Sequence, residues 1–364
     1  MPPFDGPGRG ADAPWGEAEL AELVRSAGQG ASAVTLAVAR GERQAVRCAG
    51  RVDRGAGEPC TPDTVFELGS ITKTFTALLL ADLAARGELA LDDPVERHLP
   101  AGWRPAEVRR GGPIRLLHLA THTSGLPRLP PGLLTSAVAA WNSNPYAAYD
   151  EPRLRAGLAR TVVRHRPGER FGYSNFGVGL LGRLVTEAGR GSGYAELLAE
   201  RICRPLGMRA TTCSPDSPHR AVGHRRGRPL PPWHIPGLPG AGAVRASGAD
   251  LLRYLCAHLR PGEGGSAYGK ALGDALREVQ RPRLRLPHSG DQLCLAWNHR
   301  RTADGRDLLF HSGGTRGCTT LIAFCPQTAT AVAALCNAGP SRRDNFAQAA
   351  YDVFKRFARA PDGE

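Results

Sequence analysis

Lysine is scarce in this 364-residue chain. It occurs only as Lys73, Lys270 and Lys355, so arginine supplies nearly all of the 47 basic residues. Acidic residues number 34, which leaves a net charge of +13. The arginines are scattered, and no recognisable nucleic-acid-binding motif accompanies them, so a nucleic-acid partner is not expected. No run of apolar residues approaches the roughly 18 needed to span a bilayer, so no membrane partner is expected either. Residues 1–30 hold Asp12, Glu17, Glu19, Glu22 and Arg25 but no apolar stretch of the kind that drives secretion. The nine cysteines are odd in number and none is spaced C-x-x-C. That predicts free thiols in a reducing compartment and a cytoplasmic address.

What is present suits a folded protein of about two domains, or one large two-lobed one. Hydrophobic residues make up 41% and charged residues 22%. Such a balance excludes disorder. Residues 1–16, rich in Gly and Pro, are expected to be loose. Leu20, Leu23 and Val24 predict a short amphipathic helix. Ala33 to Val38 and Gln44 to Cys48, separated by Arg40-Gly41-Glu42, predict a β-hairpin. A helix is predicted from near Ser70 through Leu83, closed by Gly87. From about 88 to 235 the pattern is mostly helical, with helices over Gly177–Val185 and Tyr194–Ile202 and a proline-rich connector over 225–240. Strands return at Leu308–Phe310, Thr319–Phe324 and Thr330–Leu335, and Phe346, Ala350 and Phe354 mark a final amphipathic helix. The expected fold is therefore α/β plus α: an antiparallel sheet flanked by helices and formed from both termini (17–87 and 236–364), with an inserted, mainly helical lobe at 88–235.

Three motifs carry chemistry. The first is Ser70-Ile71-Thr72-Lys73, an S-x-x-K at the start of a helix. Residues at i and i+3 share a helix face, so the Lys73 amine can reach the Ser70 hydroxyl. A serine is a weak nucleophile that needs a neighbouring base, and a helix start favours negative charge developing beside it. The second is Tyr173-Ser174-Asn175, a Y-x-N on a Gly-bounded loop. A tyrosine hydroxyl there can relay a proton, and the Asn175 amide can contact an ester or amide substrate or Lys73. The third is His311-Ser312-Gly313-Gly314 at a strand end, where glycines allow close approach of a substrate and an exposed strand N–H can complete an oxyanion hole.

In this order and with these gaps, the motifs resemble the serine β-lactamase and penicillin-binding-protein superfamily, on its class C-like branch. Leu91 to Val95, Leu116 to Pro127, Pro205 to Met208 and Ala241 to Ser247 are similar to further landmarks, so the resemblance covers about residues 30–358. It implies an acylated Ser70, general acid–base work shared by Lys73 and Tyr173, substrate contacts from Asn175, His311 and Gly313, and an oxyanion hole from the backbone N–H groups of Ser70 and Gly314. It implies no cofactor and no metal. His311 stands where K-T-G members have lysine, which weakens the case for a carboxylate-recognising β-lactamase.

Other patterns lack their context. Gly177-Val178-Gly179-Leu180-Leu181-Gly182 matches a dinucleotide fingerprint but has no preceding strand, so close helix packing is expected. His118 and His122 have metal-like spacing without a third ligand and are expected to be structural. No G-x-S-x-G and no E-x-x-L-N occurs, which excludes an α/β-hydrolase elbow and the class A deacylation glutamate. The expected activity is hydrolysis of an ester or amide through acyl-Ser70. The alternative is a cytoplasmic acyltransferase, thioesterase or cyclase of natural-product biosynthesis with an amine acceptor. A non-catalytic binding protein is disfavoured by the intact Ser70, Lys73 and Tyr173. The expected partner is a small acyl substrate, with an acidic carrier protein as a further candidate for the arginine-rich loops 225–228 and 281–285.

Overall fold

The computed structural model describes residues 15–359, except 56, 191–192, 263–268, 287–288 and 342–344. Residues 1–14 of the segment expected to be loose lie outside the described residues. Trp15, at its end, is packed edge-on against Phe357, with ring centroids 5.5 Å apart.

The chain opens with helix α1 (Glu17–Ala27), whose first turn is acidic and whose last turn carries Arg25. The helix dipole favours this arrangement. Strands β1 (Ala33–Arg40) and β2 (Arg43–Gly50) form the expected hairpin. The rest of the large sheet comes from the C-terminal third: β5 (Leu284–Arg285), β6 (Gln292–Leu293), β7 (Asn298–Arg301), β8 (Asp307–Gly314), β9 (Thr319–Cys325) and β10 (Thr330–Cys336). Its eight strands run in the order β2-β1-β10-β9-β8-β7-β6-β5, and every pairing is antiparallel. β1 joins the two termini by pairing with β10 along its length.

The central strands β1, β9 and β10 are buried almost throughout and mostly apolar because both sheet faces are covered. On β1, Val34, Leu36 and Val38 enter the core under α1 and the last helix, α9 (Phe346–Phe357). Ala33, Ala37 and Ala39 point the other way, into the core beneath α7 (Gly248–Leu259). The alternation follows from the two-residue period of a strand. Phe346, Ala350 and Phe354 of α9 are all buried, as their spacing predicts.

Between β3 (Val65–Glu67) and β4 (Arg245–Ser247), which pair antiparallel, lie the elements that position the motifs. The helix expected from Ser70 begins slightly later. Gly69–Ile71 form a 3₁₀ turn, and the α-helix α2 runs from Thr72 to Ala85. Gly87, at φ +72°, closes it. The Gly87 and Glu88 N–H groups bond to the carbonyls of Ala84 and Leu83, the Schellman pattern. Helices α3 (Leu116–Ala120), α4 (Glu151–Ala159), α5 (Asn175–Ala188) and α6 (Tyr194–Leu198) follow, α6 continuing into a wider π turn at Ala199–Cys203. Then α7 and α8 (Gly269–Glu278) precede the sheet's remaining strands. The glycines of the dinucleotide-like pattern are packing sites: a Cβ on Gly179 would strike Leu238, and one on Gly182 would meet the backbone of Gly240. Among the described residues, no helix is long and apolar enough to cross a membrane.

One buried histidine ties the core to pH. His258 on α7 is fully buried against Tyr254, Trp297 and Phe324. Its Nδ1–H donates to the Tyr254 carbonyl at 2.8 Å, and burial pushes its pKa down to about 4. The unfolded chain therefore binds the extra proton first, below about pH 6.5. Stability is full above that pH and falls as pH drops toward 4, by at most about 1.4 kcal/mol per pH unit for each such group. Urea midpoints measured from pH 7 to 4.5 should decline through this window, and His258→Phe should flatten part of the decline.

Candidate active site

Ser70 sits on the 3₁₀ turn that leads into α2, and that turn is pressed against the end of β8. Gly69 has φ +54°, and a Cβ there would lie 2.5–2.7 Å from the Gly314 backbone. A Cβ on Gly313 would collide with the Leu68 carbonyl. Only glycines let the two backbones meet this closely. The meeting brings Ser70 and Gly314 to one cavity of about 420 Å³, lined also by Arg128, Trp141, Tyr146, Asn175, Trp233 and Arg316. A wider hollow around Trp103, Glu151 and Arg155 shares no lining residue with it.

Two side chains converge on the Ser70 hydroxyl. Lys73 Nζ donates to Ser70 Oγ at 3.0 Å, and Tyr173 Oη donates to it at 2.9 Å. Lys73 is wholly buried and also donates to the Ala241 carbonyl at 2.8 Å. Its ammonium lies 5.1 Å from the centre of the Tyr173 ring, and the Arg128 guanidinium lies 5.2 Å from that centre. Burial alone would raise the Tyr173 pKa. The charge on Lys73, hydrogen bonds from Lys73 and Ser70, and the charge on Arg128 outweigh it, so the phenol is shifted below its ordinary value near 10.

Tyr173 is placed by helix capping. Ser174 is the N-cap of α5. Its Oγ accepts from the Gly177 N–H at 2.8 Å and donates to the Pro127 carbonyl at 2.7 Å. This cap starts α5 at Asn175, two residues before the glycine pattern suggests. His122, in the left-handed region at φ 56°, accepts from the Ser174 N–H at 3.2 Å through Nδ1 and packs its ring 4.5 Å from that of Tyr173. Burial first, then the charges on Lys73 and Arg128, hold its pKa well below 6.5, so it stays neutral and keeps its acceptor. His118 has a different task, accepting from the Arg115 N–H at the start of α3.

The remaining predicted residues divide. Gly314 lines the cavity with Ser70. Asn175 also lines it, as a contact with substrate requires; the alternative contact with Lys73 is absent, since Asn175 Nδ2 donates to Tyr146 Oη at 2.9 Å and its buried Oδ1 has no partner. Gly313 faces the Leu68 carbonyl instead of the cavity, so its missing side chain serves the packing of the Ser70 turn and not substrate approach. His311 is buried, donates from Nδ1 to the Ser312 carbonyl at 2.7 Å, and has its pKa lowered to about 4 by burial and by Lys73. It is therefore uncharged near neutral pH.

Residues 20–354 match the family model described as Beta-lactamase. The chain belongs to the Beta-lactamase family. It is 30% identical, over 82% of its length and 78% of the relative's, to the D-alanyl-D-alanine-carboxypeptidase/endopeptidase AmpH of Escherichia coli K12. It is 35% identical to esterase EstB of Burkholderia gladioli over 55% of this chain and 51% of that one. Among solved structures, a class C beta lactamase from Rhodobacter sphaeroides superposes with a TM-score of 0.74 at 26% identity, covering 94% of this chain and 99% of the other. A Beta-lactamase/D-alanine carboxypeptidase from Yersinia pestis gives 0.78 at 24%, covering 93% and 96%, and shares the fold.

In this Beta-lactamase family member a buried acid links the two halves of the site, and the sequence motifs do not announce it. Glu67, three residues before Ser70, accepts from Thr315 Oγ1 at 2.6 Å and from the Trp233 N–H at 2.7 Å. Thr315 Oγ1 in turn accepts from the Gly317 and Cys318 N–H groups, which shapes the loop after Gly314. Arg245, also buried, bonds to the carbonyls of Trp233, Ala243 and Cys213 and supplies positive charge near Glu67. The signal in the sequence was a charged residue inside the apolar run Val65-Phe66-Glu67-Leu68. Thr315→Val would strand one carboxylate oxygen in the core. It should cost about 3 kcal/mol in urea unfolding, as for an unpaired buried charged acceptor, and should slow acylation of Ser70. Thr315→Ser, which keeps the hydroxyl, should restore both.

Proposed function

We propose that this protein is a serine hydrolase that cleaves an ester or amide through an acyl-Ser70 intermediate. The observation that carries the reading is the convergence of Lys73 Nζ and Tyr173 Oη on Ser70 Oγ. Both lie within hydrogen-bond reach, as direct proton transfer requires. Tyr173 in its phenolate form, favoured by the Lys73 ammonium, takes the Ser70 proton as Oγ bonds to the substrate carbonyl carbon. The carbonyl oxygen becomes an oxyanion held by the backbone N–H groups of Ser70 and Gly314. Tyr173 Oη then returns the proton to the leaving oxygen or nitrogen as that bond breaks. Water, giving a proton to Tyr173 Oη, attacks the acyl carbon; the bond to Ser70 Oγ breaks, Oγ takes that proton back from Oη, and the acid leaves. The names of AmpH and EstB, a peptidase and an esterase, support both substrate bonds. All nine cysteines are unpaired thiols, which supports a reducing, cytoplasmic setting.

A fluorophosphonate or activated ester should add one adduct by intact mass, and Ser70→Ala should abolish it; full labelling of the Ala variant would overturn the mechanism. Lys73→Ala removes the ammonium that favours the Tyr173 phenolate, so acylation should fall by about 10²-fold or more. Because the reactive form of Tyr173 is deprotonated, acylation should rise with pH through an apparent pKa below 10 and level off above it. Tyr173→Phe should remove that limb.

A further inference from the structure

The fold brings two cysteines together that the catalytic chemistry does not use. Neither lines the cavity at Ser70. Cys48 lies on β2, directly opposite Thr35 of β1. Beyond Gly50 the chain turns back on itself. The Val52 N–H bonds to the Glu58 carbonyl, Arg51 bridges Pro59, and the Cys60 N–H bonds to the Gly50 carbonyl, both hydrogen bonds at 2.9 Å. Cys60 therefore runs alongside the end of β2, opposite Gly50. Cys48 and Gly50 are two residues apart on one strand and share a face, and Gly50 places no side chain between the two sulfurs. Thr35 Oγ1 donates to Cys48 Sγ at 3.5 Å and lies 3.4 Å from Cys60 Sγ. The two thiols are also hydrogen-bonded to each other. Both residues are only partly buried, which leaves a small reagent access. Hydrogen bonds from Cys48, then from Thr35 and Thr64, outweigh burial and shift the Cys60 thiol below its ordinary value. Cys48, which keeps the shared proton, is shifted above it. Other cysteines differ. Cys203 and Cys213 are close enough for their charges to interact, yet burial pushes both thiols up, as it does those of Cys256, Cys294 and Cys318.

We propose that Cys48 and Cys60 form a redox site, distinct from the chemistry at Ser70, that a hydroperoxide oxidises to an intramolecular disulfide and a dithiol restores. The Cys60 thiolate attacks the peroxide: an S–O bond forms, the O–O bond breaks, and the departing oxygen takes a proton from solvent and leaves as alcohol or water. Cys60 is then a sulfenic acid, oxidised by two electrons, and the peroxide is reduced by two. Cys48 Sγ attacks Cys60 Sγ next. The S–S bond forms, the S–O bond breaks, and hydroxide leaves as water with the Cys48 proton. A dithiol reverses the change by thiol–disulfide exchange and becomes a disulfide itself. The closed bond ties β2 to the segment that leads, through the turn at Thr61–Thr64, into β3 and Glu67. A bond that opens and closes suits a reducing setting, where lasting disulfides are rare and those that form are transient or redox-sensing.

The test treats the reduced protein with a few equivalents of hydrogen peroxide, alkylates the remaining thiols and digests with trypsin without reduction. The peptide Cys48–Arg51 should appear joined to Gly55–Lys73, and two of the nine thiols should escape alkylation. Dithiothreitol should restore both. The bond should form several-fold faster in the folded protein than in urea, because an ordinary thiol, with a pKa of about 8.5, is mostly protonated at neutral pH. Cys48→Ser should leave a sulfenic acid on Cys60 that dimedone traps, and Cys60→Ser should prevent the bond. A cooperative urea transition in each variant shows that it is folded. Three results would overturn the proposal: oxidation that goes first to Cys203 and Cys213 or to any other cysteine, oxidation that ends as a sulfinic acid on Cys60 with Cys48 still reduced, or a bond that forms as fast in urea as in the folded protein.

Discussion

The site depends on a contact between two stretches of backbone. The turn at Leu68–Ser70 lies directly on the end of β8, and at both Gly69 and Gly313 a single methyl group would force them apart. A strand end and a helix start from opposite ends of the chain thereby share one cavity. Everything chemical at Ser70 follows from this approach: the nucleophile at the start of α2, the strand terminus at Gly314, and a space between them of a size to hold a small acyl group.

Such a contact needs support, because bare backbones contribute little packing. Glu67 and Arg245 provide it from below. Glu67 reaches forward to Thr315 beyond Gly314 and sideways to Trp233, while Arg245 gathers three carbonyls around the same point. Buried charges of this kind are poor sources of net stability, since desolvation offsets most of their attraction. Their value here is geometric: each hydrogen bond has one direction, and together they specify how β3, β4 and the loop after β8 meet. Thr320 Oγ1, donating to the Leu68 carbonyl at 3.0 Å, adds a further tie on β9.

Electrostatics above that support is organised around Lys73. Its ammonium sits among groups that adjust to it: Tyr173 shifted down, His311 and His122 held neutral. The histidines keep the tertiary structure without competing for the proton, and the tyrosine becomes the group that can exchange one. Arg128 and Arg316 extend the positive field outward to the cavity wall, where water and substrate have access.

Much of this was legible in the sequence, for reasons of local physics. S-x-x-K declares itself because i and i+3 share a helix face. The β1–β2 hairpin, α9 and the apolar strands of the C-terminal third declare themselves through periodicity, and Gly87 through the left-handed conformation that closes a helix. The resemblance carried by the three motifs linked Tyr173 and Gly314 to Ser70. Other features depended on the tertiary structure. Asn175 contacts Tyr146 and not Lys73 because the cap at Ser174 sets the direction of the first turn of α5. Gly313 serves packing because the Leu68 carbonyl occupies the space a substrate would need. Glu67, Arg245, Trp233 and Arg316 belong to no local pattern at all. Their roles come from partners that only folding brings alongside, or from the lack of one. A buried charge is paired, or a buried donor left without a partner, according to which other segments close around it, and that is a property of the folded arrangement alone.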